Sequence, residues 1–200
     1  MISNLKSIWF LKTGLIVFLV ASLLSCNSDS SNKKKEEVNS QNSDEYFSVK
    51  INGKLWQAFP SKEFKEYNLS YKELDKQFSI FAEAEDGSRM DLSFHSKQGI
   101  KVGNYSSTKN DNGTQSGIFY YPEAKTSDKE LASTTFDVPV QENTVHITRV
   151  DKSNKDAYVI EGTFNPTMYA LYETNLERST KFSDGKFRVI YRPSSMDPAF

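Results

Sequence analysis

The sequence predicts an all-β domain, either an antiparallel β-sandwich or a partly open barrel of short hairpins. From residue 46 onward, apolar side chains recur mainly at every second position, which is typical of β-strands. Clusters of turn-forming residues separate these short runs, as they do in sandwiches and barrels. The chain also contains 14 Phe and 10 Tyr, and aromatic residues favour strands.

The first hairpin is predicted from Asn52-Gly53, the strongest short signal for a two-residue turn between strands. Alternating apolar positions flank the turn on both sides. A two-residue turn pairs Ile51 with Lys54, Val49 with Trp56 and Phe47 with Ala58. Trp56 is therefore expected to share a face with Val49 and to fill the core.

Two more hairpins are predicted before residue 95 from the same alternation. Their strands are expected at 67–71, 78–84 and 90–94, with turns near Asp75-Lys76 and Asp86-Gly87. We expect the second turn to hold three residues and a bulge. The expected register places Ala84 opposite Met90, and Ile80 opposite Phe94.

The remaining elements are predicted as strands, with a single exception. Strands are expected at 102–105, 118–121, 133–138, 145–151, 158–164 and 187–191, with a Gly- and Asn-rich loop at 106–117. The last of these strands is expected to follow a turn at Asp184-Gly185. The exception is a helix over Met168–Glu177.

The first 25 residues have the three parts of an export signal. Lys6 and Lys12 precede an apolar run of about 11 residues, shorter than the roughly 20 that a membrane-spanning helix needs. The stretch Leu23-Leu24-Ser25-Cys26 resembles the processing site of a bacterial lipoprotein, in which the cysteine is acylated and begins the mature chain. Cys26 is the only cysteine, so it cannot form an internal disulfide. The alternative is an ordinary secretory signal followed by an unpaired cysteine.

This interpretation divides the chain into a signal peptide at 1–25, a lipidated cysteine and flexible linker at 26–45, and a single β domain at 46–200. Residues 27–45 contain one apolar side chain, Val38, too few to offset the entropy of ordering the segment. The leader holds two of the 25 basic residues and none of the 26 acidic ones, so the mature charge is −3. This near balance argues against a nucleic-acid partner.

Three stretches together resemble the small lipoprotein domains of unknown function that are common in the Bacteroidetes phylum. These are Val49–Trp56 (an NGxxW hairpin), Val145–Phe164 (an ITxxD…GTF hairpin) and Ser183–Val189 (a GKF strand). The resemblance covers residues 46–192 and implies an all-β envelope lipoprotein without known catalytic residues. We expect the lipid anchor to lie in the outer membrane. Asn27-Ser28-Asp29-Ser30 holds one acid where surface-exported lipoproteins often carry several, so a periplasmic or outward orientation is left open.

Catalytic and metal-binding patterns are weak. His95 is expected on a face with Asp91 and Ser93, and His146 with Thr144 and Thr148. No close-spaced metal motif and no nucleophile elbow occurs, and the loop 108–113 lacks the acidic first ligand and the distal Glu of a calcium site. We therefore predict no cofactor and no enzyme activity. A hydrolase using His95 or His146 remains an alternative, and it requires a carboxylate near the histidine in a pocket.

Charged and aromatic residues give two further expectations. Arg89 lies across a predicted turn from Glu85, which favours a surface ion pair over a catalytic role for the acids nearby. Neighbouring aromatics cannot all be buried by strict alternation, and the tyrosines among them are candidates for stacking on a glycan or gripping an envelope protein. These candidates are Tyr120, Tyr121, Tyr169 and Tyr172. The alternatives are core packing and a role as an accessory subunit of an outer-membrane complex, which predicts a large exposed apolar patch.

Overall fold

A computed structural model describes residues 44–108, 113–123, 130–133, 143–170, 175, 177–194 and 200, all within one compact unit, Ser40–Phe200. These residues form twelve β-strands and no helix, so the predicted all-β class is confirmed. The strands are β1 (Tyr46–Ile51), β2 (Lys54–Ala58), β3 (Asn68–Lys72), β4 (Gln77–Glu83), β5 (Arg89–Ser96), β6 (Gly103–Ser106), β7 (Thr114–Tyr121), β8 (Leu131–Ala132), β9 (Thr144–Asp151), β10 (Tyr158–Phe164), β11 (Thr167–Ala170) and β12 (Ser179–Tyr191).

The strands pair antiparallel in one sheet that does not close. The order is β3-β4-β5-β7-β8-β11-β12-β10-β9-β6, with β1 added to β12 and β2 added to β1. A side-chain hydrogen bond connects β6 to β7. Ser116 Oγ on β7 donates it to the Tyr105 carbonyl oxygen on β6, at 2.6 Å. The arrangement fits a sandwich or a partly open barrel.

One face of the sheet forms an aromatic core. Phe47, Phe164 and Phe187 lie against one another with ring centroids 5.3–6.3 Å apart, and Phe94 continues the cluster 6.4 Å from Phe187. All four side chains are buried. Each buried ring removes a large apolar area from water, and contacts at these distances add about 0.5–1.5 kcal/mol a pair.

The first hairpin is confirmed with its predicted register. Asn52 and Gly53 have φ angles of 49° and 82°, as a two-residue turn requires, and Val49 lies opposite Trp56. Trp56 is buried in the core, where its Nε1 donates a 2.7 Å hydrogen bond to Ser88 Oγ. The bond joins the first hairpin to the turn between β4 and β5.

Strand β1 is held along both edges. It pairs with β2 on one side and with β12 on the other. Just before it, the buried Glu45 carboxylate accepts a 2.6 Å hydrogen bond from the Ile190 amide. Desolvation raises the pKa of Glu45, although the Ile190 hydrogen bond opposes that shift.

The predicted register of the third hairpin is wrong by two residues. Ala82 lies opposite Met90, and Ile80 opposite Leu92. The loop does hold three residues, because the Ala84 amide donates to the Ser88 carbonyl at 2.9 Å. Gly87, with φ 81°, takes the left-handed position expected of a three-residue, bulged turn. A loop of three residues cannot place Ala84 opposite Met90, since five residues separate that pair.

The predicted turn at Asp184-Gly185 is also wrong, since β12 runs through both residues. The ladder to β1 shifts there, with Ser48 opposite Lys186 and Lys50 opposite Ser183. Asp184 has a φ angle of 55°, and the two residues form a β-bulge instead of reversing the chain.

The predicted helix over Met168–Glu177 is wrong for its first residues, which belong to β11. Met168 is buried in the core, and Tyr169 pairs with Ala132 of β8 and Ser179 of β12. Residues 171–174 and 176 lie outside the described part of the chain, as do most of the predicted strand 133–138, the signal peptide, and residues 26–43 of the predicted linker, which include Cys26.

Gly185→Ala tests the bulge. A Cβ at this position would lie 2.1 Å from the Phe164 carbonyl oxygen, and rotating a side chain cannot relieve a clash with backbone. We expect the substitution to lower the free energy of unfolding by about 3 kcal/mol, measured by urea denaturation. Gly117→Ala is the matched control on another strand, where the nearest heavy atom to the new Cβ lies at 3.4 Å. Equal losses in both variants would contradict the steric explanation.

Candidate functional site

The candidate site lies on the sheet surface opposite the core. Along β5, Met90, Leu92 and Phe94 are buried, and the intervening side chains are half-buried on the other surface. The same alternation runs along the neighbouring strands β4 and β7. The predicted faces of both histidines are thereby confirmed, because His95 shares its face with Asp91 and Ser93, and His146 with Thr144 and Thr148.

Cross-strand pairing sorts this surface, here called the β4–β5–β7 face, into four rows. The rows are Glu83-Arg89-Tyr121, Phe81-Asp91-Phe119, Ser79-Ser93-Gly117 and Gln77-His95-Gln115. Small residues fill the third row, so the surface is lowest there. Aromatic rings and charged groups lie on one side of that row, and amide and imidazole groups lie on the other.

Arg89 organises the first two rows. Its guanidinium carbon lies 4.4 Å from the centroid of the Tyr121 ring, which is a cation–π contact. It also pairs with Asp91, through a 3.3 Å hydrogen bond from Nη2 to Oδ2 and a 3.0 Å approach of Nε to Oδ1. That second approach lacks hydrogen-bond geometry, and both of its atoms are buried without a hydrogen-bond partner. The predicted ion pair of Arg89 with Glu85 is therefore replaced by one with Asp91.

The charge balance around Arg89 shifts two pKa values. Burial raises the pKa of Asp91 above its usual range, the Arg89 charge opposes that shift, and the Glu130 carboxylate adds to it. Burial also raises the pKa of Tyr121, with Glu130 and Asp91 adding to the shift. The cluster therefore holds one cation among two carboxylates and a phenol, and it offers both donors and acceptors to a ligand.

The described tyrosines of the predicted site separate onto different surfaces. Tyr121 is half-exposed on the β4–β5–β7 face. Tyr120 faces the core, where its ring meets Trp56 edge-on at 6.0 Å and Phe182 at 5.5 Å. Tyr169 is 4 % exposed. Tyr172 lies outside the described residues.

Phe81 is a member of the face that the sequence reasoning missed. It lies opposite Asp91, next to the buried Ile80 and Ala82. The signal that could have found it is its parity, because an aromatic residue at an odd position of β4 must point away from a core lined by even positions. Phe119 has the matching position on β7.

The histidines are set apart from acids. His95 lies between Gln77 and Gln115, and in the described ranges it makes no hydrogen bond or ion pair. His146 is exposed, and its Nδ1 lies 2.6 Å from Oδ1 of Asn104 on β6. The carboxylate partner that a hydrolase needs is not found beside either imidazole in the part of the chain that the structure describes. The hydrolase hypothesis stays a prediction.

Neither a metal-binding cluster nor a membrane-spanning helix occurs among the residues that the structure describes. Those residues contain no group of three or more His, Cys, Asp or Glu side chains that could hold a metal ion. They also contain no helix long and apolar enough to cross a membrane.

Exposed apolar side chains are spread over several elements. They occur on β2, in the segment after it, at the turn between β3 and β4, and before β6, and include Leu55, Phe59, Phe64, Leu74 and Val102. Single exposed apolar residues are normal on a protein surface. The accessory-subunit hypothesis, which predicts one large patch, stays a prediction.

Comparison with protein-family models, with curated proteins and with solved structures finds no match to this chain. The resemblance to Bacteroidetes lipoprotein domains therefore stays a prediction.

Arg89→Met tests the electrostatics of the face. Removing the guanidinium removes the positive charge that holds down the pKa of Asp91, so we expect that pKa to rise further. The measurement is a pH titration of the side-chain carboxyl signals by carbon-13 NMR. Asp184 is the control, because Lys50 lowers its pKa, and it should be unchanged in Arg89→Met. An unchanged Asp91 titration would show that Arg89 does not act on it.

Proposed function

We propose that this protein is a lipid-anchored lipoprotein of the bacterial cell envelope, and that its β domain acts by binding instead of by catalysis. The export signal and the isolated Cys26 support the anchor. Several acyl chains on one cysteine would bind a membrane firmly, since each buried CH₂ contributes about 0.8 kcal/mol. The outer membrane is the proposed location, in either orientation.

The contact surface in this proposal is the β4–β5–β7 face. The observation that carries it is the half-exposed Arg89–Tyr121 cation–π pair beside Asp91, which puts an aromatic ring, a cation and a carboxylate together on this surface of the sheet. A ligand with hydroxyl groups and an apolar surface could stack on the Tyr121 ring while it hydrogen-bonds the charged groups beside that ring.

We propose a glycan as the ligand class. Sugars present both hydroxyl groups and flat apolar surfaces, so they require aromatic rings beside hydrogen-bonding side chains. The face supplies this combination, since the Phe81 and Phe119 positions flank Asp91 two strands apart, about 10 Å at the usual strand spacing. The Ser79-Ser93-Gly117 row has the smallest side chains of the face, although Ser79 is itself buried, and a chain of sugars would cross the strands over this row. An envelope protein is the other ligand that the test below can reveal.

Tyr121→Ala tests the contact surface. The full-length protein is incubated with immobilised envelope glycans and, separately, with an envelope protein extract. Because the substitution removes the exposed ring and leaves the core intact, we expect glycan capture to fall about tenfold. Tyr46→Ala is the matched control, because Tyr46 is also part-exposed and lies under a cation, with Lys186 Nζ 5.7 Å from its ring centroid.

Three results are informative in this experiment. Loss in Tyr121→Ala but not in Tyr46→Ala supports the proposal, whereas equal capture by both variants contradicts it. Capture only from the protein extract would assign the face to a protein partner. Tyr120→Ala is unsuitable as the contact variant, because removing a ring packed on Trp56 and Phe182 should cost about 3 kcal/mol of stability.

Cys26→Ser tests the anchor. Without the thiol no acyl chain can be attached at this residue, so we expect Cys26→Ser to lose the label when cells are fed a radioactive fatty acid. Ser30→Ala, which lies outside the Leu23–Cys26 stretch and keeps the cysteine, serves as the control and should keep the label. A Cys26→Ser protein that still carries the label would contradict lipid anchoring at this position.

A further inference from the structure

A second aromatic cluster lies on the core side, away from the β4–β5–β7 face. Two cross-strand pairs face each other there, Tyr71 with Phe78 on β3 and β4, and Tyr158 with Tyr191 on β10 and β12. All four residues are at most 8 % exposed. The ring centroids of Phe78 and Tyr191 lie 5.4 Å apart at an angle of 87°, so the pairs meet edge to face.

Phe200 lies against both pairs. Its ring centroid is 5.0 Å from that of Tyr71, 5.7 Å from Phe78, and 5.4 Å from both Tyr158 and Tyr191. Phe200 belongs to no strand, and it is only half-buried itself. The four aromatic residues around the Phe200 ring are all strand residues, and together they form the walls of a recess. Phe200 fills this recess although it is not itself part of a strand.

Lys152 provides a cation at the same place. Its Nζ lies 4.6 Å from the Phe200 ring centroid and 5.7 Å from that of Tyr158, and it donates a hydrogen bond to the Phe200 carbonyl oxygen. Partial desolvation lowers the pKa of Lys152. Within the described ranges no carboxylate side chain pairs with this ammonium group. The recess therefore holds the phenyl ring of Phe200, and the Phe200 carbonyl oxygen accepts a hydrogen bond from the Lys152 ammonium group at the same place.

The wall also contains a phenol. The Tyr71 hydroxyl is buried beside the Glu73 carboxylate, and burial together with that carboxylate raises the pKa of Tyr71 to about 12.

We propose that this recess, the end pocket, is a binding site for an aromatic carboxylic acid, and that Phe200 occupies it as a competing internal group. The end pocket is defined by Tyr71, Phe78, Tyr158, Tyr191 and Lys152. Its walls supply edge and face contacts for one ring, and Lys152 supplies the charge partner for a carboxylate. The proposal is independent of the function assigned to the β4–β5–β7 face.

The test uses 3-phenylpropionate, which repeats the Phe200 ring, its Cβ and Cα, and the carbonyl carbon. The full-length protein with carbon-13-labelled tyrosine rings is titrated and followed by NMR. Phe200→Ala empties the pocket, so we expect saturable shifts of the Tyr71, Tyr158 and Tyr191 signals. Binding to the unsubstituted protein should be about tenfold weaker, because Phe200 competes.

Charge recognition is tested by a second substitution and an uncharged probe. Adding Lys152→Gln to Phe200→Ala should weaken 3-phenylpropionate binding about tenfold. Binding of 3-phenyl-1-propanol should be weaker than that of the acid and should not respond to Lys152→Gln. A short peptide with a C-terminal phenylalanine is the third probe. Tighter binding of the peptide than of 3-phenylpropionate would identify a polypeptide end as the source of the ligand, and the reverse would identify a small acid.

Three results would overturn the proposal. They are no saturable shift in a folded Phe200→Ala protein, equal affinity with and without Phe200, and equal affinity for acid and alcohol. The Trp56 indole signal, from another part of the core, reports whether the variant is folded. If Phe200→Ala does not fold, Phe200→Leu replaces it. It removes the ring but keeps part of its volume, so intermediate affinity is expected and absence of binding overturns the proposal.

Discussion

The sheet depends on strand β12, which is hydrogen-bonded along both edges to strands from distant parts of the chain. On one edge it pairs with β11 and then with β10, and on the other it pairs with β1. The pairing of β10 with β12 requires glycine at position 185. The Phe164 carbonyl oxygen lies so close to the Gly185 backbone that even a Cβ atom would not fit between them. The exposed ion pair of Lys50 and Asp184, 2.8 Å apart, adds little by comparison. Close backbone packing, and not charge, therefore holds the two parts of the sheet in one register.

The two surfaces of the sheet differ in composition. The core surface is filled by aromatic rings in contact with one another. The β4–β5–β7 face instead carries charged, amide and aromatic side chains that are mostly half-exposed, and Arg89 pairs there with Asp91 by charge but with imperfect hydrogen-bond geometry. Those half-exposed groups are the ones that the proposed ligand would contact.

The local part of the fold was predictable and the long-range part was not. Asn52-Gly53 identified a hairpin because a two-residue turn fixes its own register. Asp184-Gly185 gave a similar signal but lies inside a strand, because the pairing with β1 and β10 decides its conformation. The register after Ala84 was wrong although the loop length was right, because a three-residue loop pairs Ala84 with Ser88, and hydrogen bonds from Ser88 to the Asp86 carboxylate stabilise that loop.

The candidate site shows the same division. The alternation of apolar and polar residues correctly predicted which side chains of β5 and β9 share a face. That prediction needs only the two-residue repeat of a β-strand. It could not tell which of two adjacent tyrosines, Tyr120 and Tyr121, faces inward. That choice depends on the packing of Tyr120 against Trp56 and Phe182, far away in the chain. Long-range packing of this kind leaves no mark in the local pattern.

The position of β1 has a mechanical consequence. If the chain is tethered to a membrane at Cys26, any pull on the domain enters through Glu45 and β1. Strand β1 is bonded along both edges, and the Glu45 carboxylate is itself held by the Ile190 amide. A force directed along β1 would load its backbone hydrogen bonds in shear. The bonds on both edges would then bear the force together instead of breaking one at a time. If the proposed anchor exists, it is connected to the domain through a strand that is paired on both edges.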